Sequence, residues 1–197
     1  MTSTGPTSEL TLSRPRRADA RRNYDKVIAA ARAAFTEHGA ETSLEGIARR
    51  AGVGIGTLYR HFPNRQALLE AVYVEEVERM SATASELGSL EPWEALSTWL
   101  EGFVDYMVTK QALATELLDN VDPGAPLFMS CRASLYAAAG PLLERAQEAG
   151  VVRRDVELSD VIHLVGGIAK MQSSGPEQVA RVLAVALDGL RCLPEQA

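Results

Sequence analysis

The sequence predicts an all-α protein with a small N-terminal domain of three helices and a larger helical C-terminal domain. Apolar residues recur at i, i+3, i+4 and i+7 through most of the 197 residues, which is the spacing of amphipathic helices. No segment shows the strict alternation of a strand. Glycines and prolines fall between the helical segments, where helices end.

The first predicted helix runs from about residue 21 to residue 38, and Gly39 closes it because glycine tolerates a left-handed stop. Its apolar face is formed by Tyr24, Val27, Ile28, Ala31 and Phe35.

The segment TSLEGIARRAGVGIGTLYRHF predicts two short helices joined by a tight turn, over residues 43–62. Thr42 is expected to cap the first helix in a capping box with Glu45. Gly52 ends that helix, and Gly54 stands at the cap of the next. The second helix is anchored by Leu58 and exposes a polar cluster, the layout of a helix-turn-helix whose second helix enters the DNA major groove.

This region resembles the DNA-binding domain of the TetR family of bacterial transcriptional regulators, from about residue 21 to residue 74. The matching positions are Phe35, Gly39, Thr42, Leu44, Ile47, Ala48, Ala51, Gly52, Val53, Gly56, Leu58, Tyr59, His61, Phe62, Leu68 and Leu69. The resemblance implies a DNA-binding domain over residues 20–66, a connecting helix over 67–85 and a ligand-binding and dimerisation domain over 86–197.

Candidate contacts with double-stranded DNA divide into two groups. The first group carries hydroxyl, phenol, imidazole or guanidinium groups, which can bond phosphate oxygens, and the resemblance implies this role for several of its members. The residues of this group are Thr42, Ser43, Thr57, Tyr59, His61 and Arg65. Base reading is assigned to Ile55, Gly56 and Arg60, because arginine can bond both acceptors of a guanine edge. Ile55 either touches a thymine methyl or turns inward, and His61 is alternatively a structural histidine.

Charge is unevenly distributed along the chain, whose net charge is −6. Residues 1–65 carry 11 Lys/Arg against 6 Asp/Glu, whereas residues 66–197 carry 9 against 20. A basic head on an acidic body suits a protein that presents one end to phosphate. Residues 1–19 are expected to be a disordered basic arm that either contacts DNA or is a solvated tail.

Beyond the head, Asn64 is expected to cap a fourth helix over residues 65–84. Helical segments follow near residues 92–109, 111–118, 126–149, 159–172 and 176–192. Pro141 falls inside the third of these segments, and we expect the helix to kink there rather than end.

The last two segments are apolar on nearly all sides, which requires burial on nearly all sides. They either complete one intrachain core or pack on a second subunit. The resemblance implies a homodimer through these two helices, with an interface assigned to Val161, Leu164, Val165, Ile168, Val179, Leu183, Ala186, Leu187 and Leu190.

Large side chains in the C-terminal domain either pack as ordinary core or line a cavity for a small-molecule effector, which the resemblance implies. The expected pocket residues are Trp99, Phe103, Tyr106, Met107, Phe128, Tyr136, His163 and Met171.

Other classes of protein lack support in the sequence. There is no HExxH, phosphate loop or EF-hand loop, so we expect no enzyme, cofactor or metal site. No apolar run reaches the 18 or so residues that cross a membrane, and the N-terminus lacks a signal-peptide core, which predicts a cytoplasmic protein. We expect a dimeric repressor that binds a palindromic operator and is released by a ligand. The alternatives are a constitutive DNA binder and a helical interaction protein.

Overall fold

The computed structural model describes residues 14–15, 17–117, 125–171 and 175–192, without the side chains of residues 40, 112 and 114–117. Within these ranges the fold is all-α, as predicted, and strands are absent apart from one isolated bridge between Val152 and Arg191. The helices are α1 (Ala18–His38), α2 (Leu44–Ala51), α3 (Ile55–His61), α4 (Arg65–Glu86), α5 (Pro92–Leu117), α6 (Pro126–Glu148), α7 (Leu158–Ala169) and α8 (Pro176–Leu190).

The described residues form two compact units. One is drawn from Met1–Glu75 and Leu113–Cys131, and the other from Glu76–Ala112 and Arg132–Ala197. The unit boundaries fall inside α4, α5 and α6, so continuous helices belong to both units. The domain ranges expected from the sequence, 20–66, 67–85 and 86–197, stay predictions.

The first unit is built around α1, which packs on α2 and α3. Val27 and Ala31 of α1 are fully buried, as are Ile47 of α2 and Leu58 of α3. These small and branched side chains lie at helical spacing, so three short helices can share one core. The backbone reverses after α1 at Gly39, whose φ of 52° favours glycine.

The second unit has an apolar core, and two side chains of this unit also bond backbone carbonyls of neighbouring segments. The indole N–H of Trp99 donates to the Met80 carbonyl at 3.1 Å. Arg145 of α6 donates to the carbonyls of Gly88 and Leu90, at 2.5 and 2.8 Å, in the turn between α4 and α5. The bonds from Arg145 satisfy carbonyl groups of the turn that follows α4.

One predicted break is wrong. The sequence analysis divided residues 92–118 near residue 110, whereas α5 is a single helix from Pro92 to Leu117. The region of Lys110 contains no glycine or proline, and the ammonium of Lys110 lies 6.0 Å from the Tyr106 ring one turn earlier. A polar residue on the surface of a helix, such as Lys110, does not end the helix.

The remaining helix predictions agree with the structure to within a few residues. α6 runs through Pro141, so the expectation that this proline would not end the helix is confirmed. The Asn64 side chain accepts a bond from the Ala67 N–H at 2.8 Å, which confirms it as the cap of α4. α7 and α8 end two to three residues earlier than predicted, at Ala169 and Leu190.

The two glycines in the turn before α3 provide a stability test. Gly52 has a φ of 66° and Gly54 a φ of −69°, and a Cβ added at either meets nothing within 4 Å. Gly52→Ala should therefore destabilise the protein by about 1 kcal/mol through backbone strain alone. Gly54→Ser should instead stabilise it by a few tenths of a kcal/mol, because serine is the better N-cap. Urea unfolding measures both. Equal effects of the two substitutions would contradict the backbone explanation.

Candidate nucleic-acid interface

The turn between α2 and α3 sets the direction in which α3 begins. Gly52 adopts the left-handed conformation at the end of α2, and its N–H bonds the Ala48 and Arg49 carbonyls. The Val53 N–H then bonds the Ala48 carbonyl at 3.0 Å, which closes the turn. Gly54 begins α3 in extended conformation. The predicted turn chemistry at Gly52 and Gly54 is confirmed.

One side of α3 is in the core and the other is open to solvent. Leu58 is 0% exposed, whereas Ile55 is 38% and Tyr59 44% exposed. Gly56 and Arg60 are also exposed, and Thr57 and His61 are half-buried. Ile55 thus does not turn inward. The face of α3 that carries Ile55, Gly56, Tyr59 and Arg60 is called the α3 outer face below.

The predicted cap of α2 is wrong by one residue. Ser43, not Thr42, is the N-cap, and its hydroxyl oxygen accepts a bond from the Gly46 N–H at 3.0 Å. Thr42 is 7% exposed, and its hydroxyl donates to the Ala34 carbonyl of α1 at 3.0 Å. A short 3-10 turn at Gly39–Glu41 carries Thr42 inward, where its hydroxyl is unavailable to phosphate. The exposed Ser43 keeps a hydroxyl proton that it can donate.

Arg65, at the start of α4, bonds the segment that precedes α2. Its guanidinium donates to the Thr42 carbonyl and lies 5.1 Å from the centre of the Phe35 ring. The side chain is half-buried. Arg65 therefore holds the residue next to Ser43 in place, which the sequence did not indicate. Contact between Arg65 and phosphate stays a prediction.

His61 lies at the end of α3 among aromatic rings. Its imidazole is 6.0 Å from the Tyr24 ring in an edge-on arrangement and 6.1 Å from the Phe62 ring. These contacts orient the half-buried ring toward α1. They agree with the alternative that His61 is a structural histidine. A contact between His61 and phosphate stays a prediction.

An ion pair joins the end of α1 to α2. Both terminal nitrogens of Arg50 bond the two oxygens of Glu37 at 2.6 Å. The bonds from Arg50 lower the pKa of the Glu37 carboxyl and raise the pKa of the guanidinium. A two-bond pair of this kind has a defined geometry, so it constrains the angle between the helices.

The predicted basic arm lies mostly outside the described residues, which exclude 1–13 and 16. Arg14 is described, and its guanidinium is 2.5 Å from the Glu75 carboxylate of α4 and 3.8 Å from that of Asp25. Residues 18 and 19, predicted to be disordered, belong to α1, because that helix begins at Ala18. Arg14 is therefore ion-paired on its own unit and is not simply a solvated residue.

Three of the eight predicted pocket residues are buried in the core. Trp99, Phe103 and Tyr106 are at most 3% exposed. Their rings follow one another along α5 with 5.5 Å between successive centres. His163 is exposed on α7, so it does not line a buried cavity. Of the eight residues, Met171 lines an open cavity between described residues of the second unit.

Three other predicted pocket residues have different surroundings. Phe128 packs against the Tyr73 ring at 5.2 Å in the first unit. Tyr136 is half-buried with the guanidinium of Arg132 5.5 Å from its ring centre. The Met107 methyl group lies 3.7 Å from the position that a Cβ on Gly166 would occupy. The prediction of one shared aromatic cavity stays a prediction, because side-chain size at helical spacing does not distinguish core from cavity.

The predicted dimer residues also require correction. Most of them face the interior of their own subunit: Val161, Val165, Ile168, Leu183, Leu187 and Leu190 are 8% exposed or less. Val179 and Ala186 are half-buried, and Leu164 is 45% exposed. The apolar stripe read from the sequence is the intrachain contact between α7 and α8.

A different face of these two helices is open. Val185, which the sequence analysis did not assign to the interface, is 73% exposed. Ala184 and Gly189 on α8 and Gly167 on α7 are also exposed. Together with Leu164 these residues form what is called the α7–α8 outer face below. The sequence did indicate this second face, because Ala184 and Val185 are apolar residues outside the main apolar stripe of α8.

Other kinds of site are not indicated in the described part of the chain. It holds no group of three or more His, Cys, Asp or Glu side chains that could bind a metal ion. Its helices also include none with the length and apolarity to cross a membrane.

Comparison with known proteins identifies the family. The family model described as bacterial regulatory proteins, tetR family, matches residues 27–72, and the model for the C-terminal domain of SbtR-like transcriptional regulators matches residues 91–192. Together they include α2, α3 and the α7–α8 region described above. The chain belongs to the TetR family of bacterial transcriptional regulators.

Individual relatives agree with this assignment. The TetR transcriptional regulator SCO0520 of Streptomyces coelicolor is 41% identical, with a TM-score of 0.76 over 86% of this chain and 99% of that one. A TetR regulatory protein of Mycobacterium vanbaalenii is 36% identical, with a TM-score of 0.75 over 90% and 100%. The HTH-type transcriptional repressor Rv1474c of Mycobacterium tuberculosis is 28% identical over 84% of this chain and 91% of its own length.

The Glu37–Arg50 pair predicts a pH dependence. A carboxyl whose folded-state pKa is lowered stabilises the fold fully above its unfolded-state pKa, and that contribution is lost as the pH falls through the folded-state pKa. Arg50→Ala should return the pKa of Glu37 toward 4.5 and remove this part of the acid sensitivity. NMR titration of the Glu37 carboxyl measures the change. Arg49→Ala, at the adjacent exposed arginine, is the control and should leave that pKa unaltered.

Proposed function

We propose that this regulator is a dimeric repressor that binds a near-palindromic operator through α3 and is released by a small molecule. The observation that carries the proposal is the α3 outer face. This helix has seven residues; Leu58 is fully buried, and Tyr59 and Arg60 are exposed on the opposite side. Such a helix can enter the major groove while its buried side anchors it.

Base reading is assigned to Arg60, Ile55 and Gly56. Arg60 can donate two bonds to the O6 and N7 atoms of guanine, and Ile55 can contact a thymine methyl. Nothing lies within 4 Å of the position of a Cβ on Gly56, so the open space above this residue admits a base edge.

Phosphate contacts are assigned to residues on either side of the groove. Tyr59 is exposed on α3, and Ser43 is exposed at the start of α2. Thr57 and His61 are half-buried at the edges of α3, where their polar atoms can reach phosphate oxygens. Contacts of this kind fix register and carry no sequence information. The excess of Lys/Arg over Asp/Glu in residues 1–65 supports attraction to DNA at this end.

Dimerisation is assigned to the α7–α8 outer face, with a second copy of this chain as its partner. Val185 is 73% exposed, and Ala184 of α8 and Leu164 of α7 are also exposed apolar residues, which a second copy would cover. A two-fold dimer contacts itself with the same face on both subunits. It would place two α3 helices roughly 34–36 Å apart on DNA, which a near-palindromic site matches.

Release by a ligand requires two arrangements of the dimer with different DNA affinity. α4 is one continuous helix from Arg65 to Glu86 and includes residues of both units, so it is the natural element to transmit the change. A coupling of about 1–3 kcal/mol is typical of such linkage. If operator affinity did not respond to any ligand, the protein would be a constitutive DNA binder.

Substitutions on α3 separate base reading from phosphate contact. Selection from a random DNA pool identifies the preferred sequence of the wild-type protein. Arg60→Ala should then lose about 1–3 kcal/mol of discrimination at one base pair. Tyr59→Ala should weaken binding to all sequences about equally. Fluorescence anisotropy with preferred and scrambled duplexes measures both.

The control for these variants is Arg132→Ala, which removes an exposed arginine on α6 and should leave DNA binding intact. An unaltered base preference after Arg60→Ala would reject the assigned role of Arg60. A wild-type protein that fails to bind DNA at low salt would reject the proposed function as a whole.

The dimer proposal has its own test. Val185→Glu places a charge at the centre of the α7–α8 outer face and should produce a folded monomer, because the side chain is exposed within its own subunit. Sedimentation velocity measures the mass, and circular dichroism checks the helices. Met129→Glu, at another exposed apolar residue (55%), is the matched control and should remain dimeric. A dimeric Val185→Glu protein would place the interface elsewhere.

A further inference from the structure

The second unit contains an open groove between α5, the end of α7 and α8. Its volume is about 780 Å³, within the range of roughly 300–1,000 Å³ typical of small-molecule sites. One face of α5 supplies Thr98, Glu101, Gly102, Val104, Asp105, Val108 and Gln111, and the other walls are Ala169, Met171, Pro176, Val179, Ala180 and Leu183.

The walls of the groove are mainly apolar. Val108, which is 46% exposed, lines it together with Leu183 and Val179 of α8. Met171 adds a thioether side chain, which adapts readily to ligands of different shape. Walls of this composition suit the hydrocarbon body of a ligand.

The charge of the groove has one sign. Glu101 and Asp105 lie four residues apart on α5, so their carboxylates share one side of the helix and repel each other. Both are exposed, and none of the residues that line the groove is a lysine or arginine. Two cations are next to lining residues in the sequence: Arg181, which lies 3.9 Å from Glu177, and the exposed Lys170 between Ala169 and Met171. A positive charge at this point would relieve the repulsion.

We propose that this groove binds a hydrophobic organic cation, such as an aryl or alkyl amine or a quaternary onium ion. The cationic centre lies between Glu101 and Asp105, and the apolar body lies against Val108, Met171 and Leu183. The inference deepens the proposed ligand response by naming a site and a ligand class. The regulatory consequence rests on the proposed function, whereas binding itself does not.

The test uses two ions of nearly equal shape and opposite charge, tetraphenylphosphonium and tetraphenylborate, with the full-length protein. Isothermal titration should show saturable binding of the phosphonium ion, and at least tenfold weaker binding of the borate ion. Glu101→Gln with Asp105→Asn should weaken phosphonium binding at least tenfold. Val108→Trp, which fills the groove, should abolish it while circular dichroism shows an intact fold.

The matched control is Glu144→Gln with Glu148→Gln, because these exposed carboxylates also lie four apart, on α6 outside the groove. This control should bind the phosphonium ion like the wild type. An equal loss in the control would show binding by general surface charge and overturn the proposal. Equal binding of both ions, or no saturable binding, would also overturn it.

Two further measurements separate this inference from the proposed function. If the groove variants alter the sedimenting mass, the groove is a subunit contact and the proposal is overturned. Operator binding is then measured with and without the phosphonium ion. Weaker operator binding supports both the site and ligand release. Saturable binding with unchanged operator affinity supports the site and rejects ligand release through it.

Discussion

The presentation of α3 depends above all on the burial of Leu58. This side chain is fully enclosed with Ile47 of α2 and with Val27 and Ala31 of α1. Because α3 has only seven residues, propensity alone cannot hold it as a helix, and most of its stability must come from packing. The same packing sets its rotation, so Tyr59 and Arg60 face outward as a consequence of where Leu58 lies.

Polar contacts around this core fix the loop before α2. Thr42 is tied to α1 by its hydroxyl and to α4 by its carbonyl, through Ala34 and Arg65 respectively. The next residue, Ser43, is thereby held at the surface as the cap of α2. The buried threonine thus positions this loop, and the serine that follows it is exposed to solvent.

The second unit shows a similar division between its interior and its surface. The rings of Trp99, Phe103 and Tyr106 are buried in its interior and follow one another along one side of α5. Concave space appears instead on the opposite side of α5, beside Glu101 and Asp105. The open apolar surface of α8 lies at Val185, away from the stripe that packs on α7. Both α5 and α8 thus pack one side within their own unit and leave another side open to solvent.

Local periodicity and glycine conformation were enough to predict the helical class, most helix bounds, the turn at Gly52 and most outward residues of α3. The sequence also identified the TetR resemblance that the family comparisons confirm. Tertiary structure alone decided that Ser43 and not Thr42 caps α2, that the aromatic residues of α5 are core, and that Val185 and not Leu187 is exposed. Periodicity shows that a helix has an apolar side. When a helix has two apolar sides, the packing of the other helices decides which side is buried within its own subunit. The local sequence does not show this.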